Sequence, residues 1–230
     1  MKVPLLLIIG LLLAATAPAQ NSNTLLIKAG TTIKESIPPA ELYHFAAFRT
    51  GKVYFKDGRS AAGLMNYHRL LDELQFINSK GDTLAVDNEP TIELVVLDRD
   101  TFYYDGSFIK LLHANGDTKL GVKQWLKLID RQKTGGYDQP STTSAITAFS
   151  SYDDGRRLYD LVVREDLILN RELQYYFGNK FNRFVPVTRK NVYDLFPKHE
   201  AALTEYLKTE KVDFKKGSDL QKLFTFLAQL

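Results

Sequence analysis

The stretches INSKGDTLAV at residues 77–86 and LHANGDTKLGV at residues 112–122 decide which fold this sequence can adopt. In both, Gly-Asp-Thr stands between two runs of apolar residues that are typical of strands. Glycine and asparagine tolerate the positive φ that a tight hairpin needs, so each stretch is predicted to turn one strand back beside the next. Gly58 and Gly106 stand at two further corners of the same kind.

These glycine corners lack the pattern of a ligand-binding loop. A phosphate-binding loop needs two spaced glycines followed by Lys and Ser or Thr, and a dinucleotide-binding turn needs three spaced glycines that open a helix. A calcium loop places acidic oxygens at alternate positions before a glycine. Asp98 and Asp100 begin such a pattern, but Phe102 and Tyr103 interrupt it. The corners are therefore interpreted as turns.

The turns predict an antiparallel meander over residues 45–187. TIELVVL at residues 91–97 is apolar throughout and is predicted to be a central strand, whereas DLILNRELQYYFG at residues 166–178 alternates with a period of two, interrupted only by Arg171. Residues 63–77 fit either a helix or two strands joined by a loop near residues 68–72, and Gly63 favours the strands. Residues 135–151 are rich in Gly, Ser and Thr and predict a long loop or linker.

Residues 188–230 change to helical patterns. Thr188 predicts the start of a helix over residues 189–196, and Pro197 suits the first turn of the next one. Ser218 and Gln221 predict a capping box before an apolar stripe at i, i+3, i+4 and i+7. The stripe consists of Leu220, Leu223, Phe224 and Leu227. The predicted fold class is α+β: a predominantly antiparallel β meander over residues 20–187 (a curved sheet, a sandwich or a partial barrel), with a C-terminal helical pair, residues 188–230, packed on it.

The first nineteen residues predict a signal peptide. Lys2 precedes an apolar run over residues 5–13, and Ala17-Pro18-Ala19 gives the small-x-small pattern that signal peptidase recognises, so cleavage is expected after Ala19. The run is shorter than the roughly 20 apolar residues of a membrane span. The mature chain is therefore expected to have no transmembrane segment and to be soluble, in the periplasm or outside the cell.

The composition excludes several kinds of chemistry. The sequence contains no cysteine, which rules out disulfides, thiolate nucleophiles, zinc–thiolate sites and a lipid anchor on cysteine. An exported chain without disulfides is typical of a bacterial envelope protein. Lys and Arg number 30 and Asp and Glu number 27, and these charges are interspersed along the chain. No nucleic-acid partner is expected, because nucleic-acid binding needs a concentrated basic face.

Catalytic motifs are missing as well. The four histidines include no pair spaced three or four residues apart, and no Gly-x-Ser-x-Gly elbow is present. Asp72 and Glu73 are adjacent and would point to opposite faces of a strand, so they cannot act together as a glycosidase pair. No catalytic residue, metal ligand or cofactor is predicted. A hydrolase whose active site assembles from distant strands stays open as an alternative.

Aromatic residues supply the candidate binding residues. Aromatic rings stack on sugars or line apolar pockets. Tyr67, Tyr137, Tyr175 and Tyr176 are the candidates for a glycan- or lipid-binding surface. The competing interpretation is that these tyrosines are ordinary strand residues, with the consecutive pair divided between core and solvent.

Five blocks of the sequence carry a resemblance to known proteins. They are NYHRLLDELQFINSKGDTLAV at residues 66–86, DTFYY at residues 100–104, ELQYYFGNKFNRFVPVTRKNVYDLFP at residues 172–197, EYLKTEKVDF at residues 205–214 and DLQKLF at residues 219–224. Together they resemble an uncharacterised family of exported β-rich proteins from Bacteroidota-type bacteria, and the resemblance spans most of residues 45–227. It implies an envelope setting and no activity, and it assigns no catalytic residue.

The sequence thus predicts an exported, soluble envelope protein that is a non-catalytic binding or structural module. The expected partner is an envelope protein, a lipid or a glycan. Two alternatives stay open: a carrier that holds an apolar or glycan ligand under the helices, and the hydrolase described above.

Overall fold

The computed structural model describes residues 23–134, 140–141 and 162–230, and its main feature is one antiparallel sheet. The strands are β1 (Thr24–Ile27), β2 (Arg49–Phe55), β3 (Ser60–His68), β4 (Glu73–Ile77), β5 (Thr83–Ala85), β6 (Ile92–Leu97), β7 (Asp100–Tyr104), β8 (Phe108–Asn115), β9 (Thr118–Thr134), β10 (Pro140–Ser141), β11 (Asp166–Gly178) and β12 (Phe184–Pro186). They follow the order β1-β11-β9-β8-β7-β6-β2-β3-β4-β5, with β10 on β9 and β12 on β11. The predicted meander is confirmed.

Five α-helices flank the sheet in the described part of the chain. They are α1 (Ile33–Ser36), α2 (Pro39–Leu42), α3 (Arg189–Leu195), α4 (Glu200–Glu210) and α5 (Gly217–Leu227). Two 3-10 turns, Glu89–Thr91 and Pro197–His199, precede β6 and α4. The C-terminal segment therefore holds three helices rather than a pair. No helix among the described residues is long and apolar enough to cross a membrane.

The glycine corners behave as predicted. Gly58, Gly81, Gly106 and Gly116 all have positive φ, between 53° and 88°, and each lies at a turn between two antiparallel strands. The ambiguous stretch over residues 63–77 also folds as two strands, β3 and β4, joined by a turn. Asp72, the last residue of that turn, has a φ of 54°, which a short polar side chain tolerates better than a bulky one.

The sheet curls until the β3–β4 turn reaches the far strand β9. The amide of Leu126 in β9 donates to the carbonyl of Arg69 at 3.1 Å, and the amide of Arg69 donates to the carbonyl of Leu42 at 2.7 Å. This turn therefore bridges α2 and β9. The sheet is curved but not closed, because only this backbone contact joins the turn to β9 in the described part of the chain.

Alternate residues of the strands fill the concave face and divide the core into three clusters. The first joins β2, β3, β4, β6, β7 and β8 around Tyr67 and Phe102. The second places Leu120 of β9 and Phe177 of β11 against α3, α4 and α5. The third places Leu126 of β9 against β1, α1, α2 and the start of β11. The second and third clusters lie at opposite ends of the β9–β11 pair and leave its middle uncovered by them.

Of three local predictions, one is wrong, one is confirmed and one is incomplete. Ser218 does not cap α5, because the helix begins at Gly217, one residue earlier, with Lys216 at the N-cap position and the amide of Lys216 bonded to the carbonyl of Asp213 at 3.0 Å. Thr188 does cap α3: its hydroxyl accepts from the amide of Asn191. Within the predicted loop at residues 135–151, residues 140–141 form strand β10, and the other positions lie outside the described residues, as does the predicted signal peptide.

The remaining departures come from elements too short to leave a periodic pattern. The helices α1 and α2 have four residues each and were not predicted. Thr32 and Glu35 form a capping box around the start of α1, a motif that is visible in the sequence. These helices matter for function because α2 supplies one wall of the pocket described next.

Candidate anion-binding pocket

The sequence-predicted tyrosines do not form one surface. Tyr67 is only 3% exposed, and its hydroxyl donates to Asp72 at 2.7 Å, so it belongs to the first core cluster. Burial raises the pKa of Tyr67 well above its usual value. Tyr175 packs against the second cluster, whereas its neighbour Tyr176 points to the opposite, convex face, as consecutive residues of a strand must. Tyr137 lies outside the described residues.

A pocket of about 240 Å³ lies at the gap in the middle of the β9–β11 pair. Its walls come from the β3–β4 turn, from α2 and from the two strands. Its concave side is lined by Asn23, Glu41, Arg69, Gln124, Leu126, Arg171 and Leu173, and Trp125 and Glu172 also border it.

The strand register explains why polar groups gather at this place. Arg171 is opposite Leu126, and Leu173 is opposite Gln124, so all four lie on the concave face. Trp125 also borders the pocket, but it alternates to the convex face, where the ammonium group of Lys123 lies 5.3 Å from its ring. The pocket is therefore built by guanidinium, carboxylate, amide and leucine groups rather than by an aromatic platform.

An ion pair fixes one side of the pocket. The Nε of Arg171 donates to Oε2 of Glu41 at 2.9 Å, which ties α2 to β11. This hydrogen bond lowers the pKa of Glu41 and raises the pKa of Arg171. Glu41 is therefore held ionised and has no role as a proton donor at neutral pH.

Arg69 faces this ion pair from the β3–β4 turn. Its backbone is bonded on both sides, to Leu42 and to Leu126, but its side chain is poorly satisfied. Nη1 makes a long contact of 3.3 Å with the carbonyl of Ala40, and the buried Nε has no acceptor among the residues that the structure describes. A buried donor without a partner costs about 1–3 kcal/mol, so its presence calls for an explanation.

The charges at the pocket favour an anion. On the concave side, Arg69 and Arg171 contribute two positive charges and Glu41 one negative charge, which leaves one net positive charge there. Glu172, the other acidic residue that borders the pocket, is opposite Trp125 and alternates with it to the convex face. Burial lowers the pKa of the Arg69 guanidinium, which nevertheless stays protonated because arginine starts from so high a value. In the described ranges, no group of three His, Asp or Glu side chains is arranged to hold a metal ion.

A second polar cluster bears on the hydrolase alternative. Oδ2 of Asp100 accepts from Lys110 at 2.8 Å and lies 2.6 Å from Nε2 of His44. Burial lowers the pKa of His44. No hydroxyl group bonds to this histidine in the part of the chain that the structure covers, and the adjacent cavity of about 10 Å³ holds at most one water molecule. The cluster ties the segment before β2 to β7 and β8.

Comparisons with known proteins give no match from which the role of this pocket could be transferred. No protein-family model matches the chain, and neither a curated protein nor a solved structure shows a significant match.

Proposed function

We propose that this chain is an exported, non-catalytic binding protein that holds a small anionic ligand in the Arg69–Arg171 pocket. The observation that carries the proposal is the buried Nε of Arg69, which has no acceptor among the described residues and lies on the concave side of the pocket, where the side chains carry one net positive charge. An anionic group in the pocket would supply that acceptor and balance that charge. A charge-assisted hydrogen bond of this kind is roughly twice as strong as a neutral one.

The construction of the pocket suits binding rather than catalysis. Arg171 is part of a long strand and is held by Glu41, and the Arg69 backbone is bonded on both sides, so the donors are positioned before a ligand arrives. Preorganisation of this kind reduces the entropic cost of binding. Neither guanidinium can act as a general base at neutral pH, because it stays protonated.

The size of the pocket limits its ligand. Drug-sized ligands occupy cavities of about 300–1,000 Å³, and this pocket of about 240 Å³ is smaller. A single small molecule, or the end of a larger one, fits better than a long lipid chain.

Removing the Arg69 guanidinium is expected to weaken anion binding by at least tenfold. The test is isothermal titration of the purified protein and its Arg69→Gln variant with sodium acetate and with sodium phosphate. Arg59→Gln is the matched control, because the Nε of Arg59 pairs with Asp57, its side chain is 78% exposed and it does not line the pocket. Equal affinity of the wild type and Arg69→Gln for every anion, with both proteins folded, would contradict the proposal.

Export is tested separately, by N-terminal sequencing of the protein made in a bacterial host. The positive start, the apolar run and the Ala17-Pro18-Ala19 site support cleavage by signal peptidase. The expected product begins at Gln20 and is recovered outside the cytoplasm. Replacing Ala19 with a bulky residue, as in Ala19→Phe, is expected to leave the precursor uncut. An intact Met1 terminus in a cytoplasmic wild-type protein would contradict export.

A further inference from the structure

We infer that the ligand of this pocket is a monocarboxylate with a short apolar body, held by the Nε–Nη2 edge of Arg69. This inference rests on the proposed function and narrows it from anions in general to one chemical class.

The edge of the guanidinium that is left for a ligand is complementary in geometry to a carboxylate. Nη1, the nitrogen on the Cδ side of the guanidinium, already contacts the carbonyl of Ala40. Nε and Nη2 share the opposite edge, and no described residue accepts a hydrogen bond from either. Two parallel N–H groups on one edge match the two oxygens of a carboxylate, which arginine binds as a fork.

The charge of the pocket matches a monoanion. Glu41 balances Arg171, with which it forms an ion pair. Glu172 also borders the pocket but alternates to the convex face with Trp125, so the charge of Arg69 is left for a ligand on the concave side. A phosphate monoester carries a charge of about −1.5 to −2 at pH 7. Its second charge would find no counterion here and would be repelled by the carboxylate of Glu41. The pocket should therefore discriminate against phosphate monoesters.

Leu173 supplies an apolar wall beside the guanidinium groups. It lies on the concave face of β11, where the strand's other leucines, Leu167 and Leu169, are buried, yet it is 45% exposed. Leu173 belongs to none of the three core clusters and lines the pocket together with the buried Leu126. A ligand whose apolar part covers Leu173 would remove that surface from water.

The same chemistry can come from a free short-chain acid or from the C-terminus of a peptide that ends in a small apolar residue. In both, a carboxylate is joined to a short apolar group. The probes below distinguish these two sources.

Titration calorimetry at constant ionic strength tests the inference with five probes. They are 3-methylbutanoate, its neutral amide 3-methylbutanamide, acetate, inorganic phosphate, and a tetrapeptide that ends in leucine with a free carboxylate. We expect 3-methylbutanoate to bind at least tenfold more tightly than phosphate, and the amide to bind at least tenfold more weakly than the acid. Tighter binding of the peptide than of 3-methylbutanoate would support the inference and identify a peptide C-terminus as the source, and the reverse order would support it and identify a free acid.

Two variants test the fork and the apolar wall. Arg69→Lys keeps the positive charge but removes the fork, and it is expected to weaken 3-methylbutanoate binding at least tenfold. Leu173→Ala is expected to weaken 3-methylbutanoate binding severalfold and to weaken acetate binding less, because acetate has a smaller apolar part. Arg59→Lys is the control for the first variant.

The outcomes separate the two proposals. Binding of phosphate as tight as that of 3-methylbutanoate, lost in Arg69→Gln, would overturn the monocarboxylate inference and leave the anion-binding function standing. Full affinity of Arg69→Lys for 3-methylbutanoate would contradict the claim that two nitrogens of Arg69 bind the carboxylate as a fork. Failure of the folded protein to bind any of the anions would overturn both proposals.

Discussion

The Leu223→Ala variant is expected to lose about 2–5 kcal/mol of its free energy of unfolding, as truncated core leucines do. Leu223 is 0% exposed and lies at the centre of the second core cluster, where α5 contacts Phe177 of β11 and Leu120 of β9. Truncating its isobutyl side chain to a methyl group loses the transfer free energy of the removed atoms and leaves a cavity, because close-packed surroundings relax only partially into the space. Urea-induced unfolding, monitored by circular dichroism, measures the loss.

Lys222→Ala is the matched control for this experiment. Lys222 is the preceding residue of α5 and is exposed, so its truncation should change the stability by no more than about 0.5 kcal/mol. A loss of similar, small size in Leu223→Ala would show that the helical stripe is not packed on the sheet.

Acidification from pH 6.5 to pH 4 is expected to destabilise the wild-type protein by about 3 kcal/mol more than a His68→Gln variant. His68 is 0% exposed, and burial lowers its pKa to about 3. In the unfolded chain its pKa is about 6.5. Between these two pKa values the unfolded state binds a proton that the native state does not, so stability falls as the pH falls. Each pKa unit corresponds to about 1.4 kcal/mol.

Comparing the wild type with His68→Gln separates the contribution of His68 to the pH dependence of stability from that of the carboxylates. In the wild type, Nδ1 of His68 accepts from the amide of Leu71, so His68→Gln is expected to be less stable at every pH. The prediction therefore concerns the difference in pH dependence and not the absolute stability. Parallel stability curves for the wild type and His68→Gln between pH 6.5 and pH 4 would contradict the prediction.

Local chemistry made the sheet predictable from the sequence. Glycine corners such as Gly81 and Gly116 require positive φ whatever lies beyond the hairpin, so each turn could be inferred from its own residues. The alternation over residues 166–178 likewise fixed which side of β11 faces the core. The start of α5 at Gly217 was mispredicted because the turn that precedes it, rather than the Ser218 motif, decides where the helix begins.

The pocket could be predicted only in part, because the curvature of the sheet brings its residues together. Arg171 was visible as the one residue that interrupts the apolar alternation of β11, and a charged side chain on a core face is a signal for a site. Its partner Glu41 lies 130 residues away along the chain, on a helix too short to leave a periodic pattern. Arg69 joins them because the whole sheet curls, and no local motif specifies that curl.

The side-chain Nε–H resonance of Arg69 tests the central claim most directly. It can be assigned in a ¹H–¹⁵N spectrum of the labelled protein by its absence from the spectrum of Arg69→Gln. If the buried Nε donates to an anionic ligand, this resonance should shift saturably when 3-methylbutanoate is added, while the Nε–H resonance of Arg59 stays in place. An Arg69 resonance that does not move with any carboxylate or phosphate would contradict the account.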